Sequence, residues 1–235
     1  MTFDRFALAF CLLLPASAGA QQPPSSLDGR WPKEQQAQRQ QARPGNEDAA
    51  PKLKPQPAPP RVVACSGIFA KDSSHLKIAT FVGADNITWT QVAGPEGSRL
   101  NATVVYPRDP KRRLEVLWNL ESSRSDTQLI VITGQSEWTA PKGLKLGLPL
   151  AAVEKLNGRP FTIKSFGGET GGMVTRWGGG QLASLPGGCK IGVRFAPDPK
   201  APPPTEELAG GTDFASSLPS LKALSPKVAE IIIGY

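Results

Sequence analysis

The chain has 235 residues and carries 27 lysines and arginines against 20 aspartates and glutamates, a net charge of +7, with one histidine, three cysteines, 24 glycines and 24 prolines. No apolar run reaches the about 20 residues that a membrane-spanning helix needs, and the modest positive surplus lacks the interleaved aromatics of a nucleic-acid binder. A single histidine, no Cys-x-x-Cys spacing and no phosphate-loop motif leave no metal or cofactor expected.

Residues 1–20 read as an export signal: Arg5 precedes the apolar run from Phe6 to Pro15, and Ala18-Gly19-Ala20 offers a cleavage site before Gln21. Cys11 lies inside that run, too early for the lipidated cysteine of a lipoprotein. Residues 21–60 are rich in Gln, Pro and Ala, with Trp31 their only aromatic. Such a composition cannot bury enough apolar surface to offset its ordering entropy, so a disordered linker is expected, extended at Pro55-Gln56-Pro57-Ala58-Pro59-Pro60. The expected location is periplasmic or secreted, with no transmembrane segment after processing.

Residues 61–235 are expected to form one folded α+β domain. Cys65 follows apolar Val62-Val63-Ala64. Cys189 opens an alternation that puts Ile191, Val193 and Phe195 on one strand face and Lys190 and Arg194 on the other. In an oxidising compartment these two cysteines are expected to pair. A first helix is predicted at about residues 74–82, capped by Ser73, apolar through Leu76, Ile78, Ala79 and Val82, and stopped by Gly83. Strands follow at residues 87–92, 102–106, 114–119 and 128–133. A second helix is predicted at residues 149–157, with Pro149 in its first position, Leu150, Val153 and Leu156 at helical spacing and Gly158 as a left-handed stop. Strands follow it at residues 161–166, 172–177 and 190–195, then a helical turn within residues 216–224 and a final strand at about 228–233.

Setting Gly83 opposite Gly158 places Val116 opposite Ile191, a displacement of 75 residues. The pattern suggests a tandem duplication over about residues 65–133 and 140–197. Two helix-plus-antiparallel-meander units would pack their helices on one sheet face and leave the other concave. A chance alignment of glycine-rich strands is the competing account.

Three stretches carry a resemblance: Gly143-Leu144-Lys145-Leu146-Gly147; Val153-Glu154-Lys155-Leu156-Asn157-Gly158-Arg159-Pro160-Phe161; and Phe166-Gly167-Gly168-Glu169-Thr170-Gly171-Gly172-Met173-Val174-Thr175-Arg176-Trp177. Together with the upstream run from Arg108 to Trp118, they resemble a family of uncharacterised exported bacterial proteins. The family reads Gly-Phe-Gly-Trp-Asp-Tyr-Gly-Gly where this chain has Ser165 at the first glycine and Gly168-Glu169-Thr170 in place of Trp-Asp-Tyr. More loosely, the rhythm from Gly147 to Pro160 is similar to β-lactamase-inhibitor-like and SmpA/OmlA-type outer-membrane assembly modules. That likeness implies binding of a protein partner rather than turnover.

His75, in the first turn of a short helix, reads as structural rather than as a base, and no nucleophile elbow accompanies it. Trp118 reads as core, as do Trp89, Trp138 and Trp177, although the last three lie near turns and could be anchors. The basic turn of Arg108, Lys111, Arg112 and Arg113 reads as solvated, with an anionic envelope surface as its alternative contact. If a patch binds, Phe166, Glu169, Arg176 and Trp177 are the candidates, because a glycine-flanked strand pair admits close approach. The expected function is a non-catalytic protein-binding or inhibitor-like module whose partner is an envelope protein. The alternative is an envelope enzyme or glycan binder acting on cell-wall material.

Overall fold

The computed structural model describes residues 61–235; the export signal and Cys11 read in residues 1–20, and the linker read in residues 21–60, lie outside the described residues. Among the described residues no helix is long and apolar enough to cross a membrane. The fold is α+β, and every pair of adjacent strands in its sheets runs antiparallel.

The first helix, α1 (His75–Val82), begins one residue later than its predicted cap implies. Ser74 is the cap, its hydroxyl accepting from the Lys77 N–H at 3.1 Å. Ser73 is buried and donates to the Ile68 carbonyl instead. Gly83, at φ +89°, turns the chain out of the helix. Four strands follow as a meander, each bonded to the next: β1 (Ile87–Ala93), β2 (Arg99–Val105), β3 (Leu114–Leu120) and β4 (Ser125–Thr133). Next come a two-stranded ribbon, β5 (Thr139–Ala140) with β6 (Leu144–Lys145), and the second helix, α2 (Leu150–Asn157). Pro149 stands just ahead of α2 in an extended conformation rather than in its first turn, and Gly158 closes it in the left-handed region at φ +79°.

The second half does not repeat the meander of the first. β7 (Thr162–Ile163) and β8 (Val174–Arg176) are short and form a three-stranded sheet with β10 (Phe214–Ala215). β9 (Lys190–Ala196) instead joins the large sheet, whose order is β1-β2-β3-β4-β11-β9. The helical turns α3 (Glu206–Ala209) and α4 (Leu221–Leu224) lead to β11 (Lys227–Gly234). The physical reason is local. Gly178, Gly179, Gly187 and Gly188 all take positive φ between β8 and β9, which carries the chain away from a hairpin; only Met173, just ahead of β8, bridges to Arg194 of β9. The last strand in sequence then fills the gap between β4 and β9, and lies inside the sheet rather than at its end.

Strand alternation sorts the side chains of the large sheet. Val105, Val116, Ile130, Ile231, Val193 and Phe195 share the main core with Ile78 of α1 and Leu150 and Val153 of α2. On the opposite face Val92, Ala102, Val104 and Leu117 form a smaller cluster against Leu100, Leu129 and Val131. At the tip of the β1–β2 hairpin the Glu96 N–H donates to the Glu169 carboxylate at 2.6 Å. Glu169 belongs to the loop that Gly172 and Met173 hold against β9, so this bond links the hairpin at one sheet edge to the loop beside the other edge.

Cys65 and Cys189 form a disulfide with a Cα–Cα distance of 5.9 Å across 124 residues of sequence, tying the segment before α1 to the start of β9. Gly187 lets the two segments meet: it takes φ +89°, and a Cβ there would stand 2.4 Å from the Cys65 carbonyl oxygen.

Candidate functional site

An apolar groove of about 520 Å³ lies beside α1. Its floor is Phe69 and Trp138, two buried rings in edge-to-face contact with centroids 5.7 Å apart. The floor is held rigidly: the Trp138 indole N–H donates to the Arg112 carbonyl at 2.7 Å, and the Tyr235 hydroxyl donates to the Phe69 carbonyl. Burial raises the Tyr235 phenol above its usual pKa, with help from Asp72, so it remains a donor at neutral pH.

One wall comes from α1. The 3.6-residue period puts Ile78 and Val82 at the centre of its inward face, with Phe81 on one flank, Ala79 on the other and Leu76 on the outward side. Phe81 borders the groove and is 72% exposed. Leu76, predicted to lie on the apolar side, is 73% exposed, because it stands too far round from the buried stripe to reach the core.

The opposite wall is Tyr106, whose ring lies 3.5 Å under the Arg112 guanidinium. Tyr106 holds φ +51°, a left-handed conformation uncommon for a bulky residue. Its N–H remains on the Asn86 carbonyl at 2.6 Å, so the last rung of the β1–β2 ladder survives as the chain leaves β2. Val62, 45% exposed, and Arg61 complete the rim. Arg61 and Lys111 both pair with Glu137, at 3.0 and 3.2 Å. The basic turn read from sequence is therefore divided: Arg112 stacks on Tyr106, Lys111 pairs with Glu137, and Arg113 pairs with Glu115 at 2.7 Å.

A second opening, of about 610 Å³, lies between α2 and the turns before β11. It contains two carboxylates, both engaged. Glu154 accepts from the Ser216 hydroxyl at 2.6 Å. Asp198 accepts from the Lys227 ammonium at 2.7 Å and from the Lys200 N–H, and these bonds hold its carboxyl below the usual range.

The four residues singled out from sequence lie on or near the small sheet. Trp177 packs on Phe161 with centroids 5.0 Å apart and donates its indole N–H to the Ile191 carbonyl at 2.8 Å. Phe166 packs on Phe214 at 5.8 Å. The two rings thus have separate partners. Arg176 is exposed on β8, and the exposed Glu169 is committed to the Glu96 N–H. His75 is bonded through Nδ1 to the Thr103 hydroxyl at 2.8 Å, and burial, followed by the nearby Arg124 charge, lowers its pKa from the usual 6.5. Among the described residues no group of three His, Cys, Asp or Glu side chains is placed to hold a metal ion.

The groove itself was not read from sequence. Phe69, Phe81, Tyr106 and Trp138 come from four segments, and the one local signal was Phe81, an aromatic residue outside the apolar stripe of its own helix. In comparisons with family models, curated proteins and solved structures, nothing matches this chain.

Proposed function

We propose that this is an exported, non-catalytic binding module, and that the groove beside α1 receives an apolar segment of an envelope protein flanked by acidic residues. The observation that carries the reading is the pairing of an exposed ring, Phe81, with a Tyr106–Arg112 stack over a rigid aromatic floor. Aromatic and arginine side chains in a partly desolvated hollow are the composition of interface anchors. The cationic rim at Arg61 and Arg112 favours an acidic flank. The nearest titratable side chains are occupied by ion pairs or stacking, so the groove presents shape and apolar area rather than an acid–base pair.

A glycan-binding reading has one observation in its favour: Glu154, Asp198, Ser216 and Lys227 together give the second pocket the hydrogen-bonding equipment for sugar hydroxyls. One experiment separates the two. A photo-crosslinking residue in place of Phe81 in the full chain should trap one envelope protein, and Phe81→Asp should abolish that protein's co-purification. Phe81 is largely exposed, so this substitution should leave the unfolding free energy within about 0.5 kcal/mol of the parent. Unchanged co-purification by Phe81→Asp, or retention on purified cell wall with no protein trapped at position 81, overturns the groove reading.

A further inference from the structure

We propose that the chain forms a twofold dimer by pairing β1 with β1 of a second copy. β1 is an edge of the six-stranded sheet. Its pairing with β2 is regular over all seven residues, without a bulge. The bonds from Tyr106 N–H to the Asn86 carbonyl and from Gly94 N–H to the Ser98 carbonyl show which residues face β2. Strand alternation then turns the N–H and C=O groups of Ile87, Trp89, Gln91 and Ala93 outward; the Ile87 N–H closes a turn on the Ala84 carbonyl, and among the described residues no hydrogen bond is made by the outward groups of Trp89, Gln91 and Ala93.

A free edge of this kind is ordinarily blunted by charge, proline or a bulge. The run Ile-Thr-Trp-Thr-Gln-Val-Ala has none of these. Its register is also self-complementary. An antiparallel pairing centred on Thr90 sets Ile87 opposite Ala93 and Trp89 opposite Gln91 of the second copy, so every outward residue meets an outward residue. On the other face Thr90 meets Thr90 and Thr88 meets Val92, cross-strand pairs that favour a ladder. β1 itself carries no charged residue; Arg124, from the turn before β4, lies over the Trp89 ring at 5.0 Å from its centroid. At its ends Asp85 of one copy approaches the hairpin of the other, which carries Arg99 and Glu96 and binds the Glu169 carboxylate.

Sedimentation of the full chain should show a concentration-dependent dimer. Gln91→Pro should abolish it, because proline there removes an outward N–H and leaves the β1–β2 ladder untouched. Thr90→Cys should give a covalent dimer under oxidation and Thr88→Cys should not, a readout that holds even if the proline variant fails to fold. A chain monomeric at every concentration, a dimer that Gln91→Pro leaves intact, or crosslinking at position 88 in preference to 90 overturns the proposal. So does a monomer whose Trp89 and Gln91 amides resist hydrogen exchange, which would mean that another segment occupies the edge.

Discussion

Thr103 shows how much one hydroxyl organises here. It accepts from the Trp118 indole N–H at 2.9 Å and meets His75 Nδ1 at 2.8 Å. With the indole donating to it, its own proton is free for a neutral imidazole. The lowered His75 pKa fits that arrangement, because protonation would turn an acceptor into a second donor at a partly buried site beside Arg124. The sign of the linkage follows. The unfolded chain takes up the proton first, so the contribution of His75 to stability is complete above the unfolded pKa of 6.5 and is lost as pH falls through that value towards the folded one. Denaturant midpoints should therefore drop between about pH 7.5 and about pH 5.5, and His75→Gln should flatten the profile in that window. A wild-type profile already flat there would contradict this role. Sequence placed His75 in the first helical turn and Trp118 in the core, but not on a shared hydroxyl, because Thr103 lies on a different strand from Trp118 and follows His75 by 28 residues.

Among the elements, β11 has the most at stake. It pairs with β4 on one side and β9 on the other, and Ile231 and Ile233 are fully buried. Ile231→Ala should cost about 2–5 kcal/mol, the usual penalty for emptying a core site. Leu120→Ala, at an exposed strand end, should stay within about 0.5 kcal/mol. Equilibrium urea unfolding of both variants measures the contrast, and equal losses would mean that β11 does not anchor the sheet. The apolar run of β11 marks it as a strand in the sequence. Its central position does not follow from that run, since only the departure of β9 from β8 opens the gap that β11 fills. The same holds for α1 and α2: caps, apolar spacing and glycine stops located both to within a residue, whereas the exposure of Leu76 depends on what the helix packs against.

At the scale of the molecule, the disulfide closes a long covalent loop. Its 124-residue span constrains the unfolded chain by roughly 4 to 5 kcal/mol in the chain-entropy picture. Reductant, or Cys65→Ala with Cys189→Ala, should lower the thermal midpoint markedly, and an unchanged midpoint would show that β9 is held by the sheet alone. Both cysteines were legible because each lies in an apolar run and no other partner remains in residues 61–235. By itself the sequence determined what depends on near neighbours: helices from caps and spacing, the β1–β4 meander from alternation and turns, the inward face of β9, and the cysteine pair. Tertiary structure decided what depends on distant ones: the strand order β4-β11-β9 in place of a second meander, the groove assembled from four segments, and the place of β1 at the edge of the sheet. Backbone bonds and apolar faces can be satisfied by more than one partner, and only the packing of the whole chain selects among them.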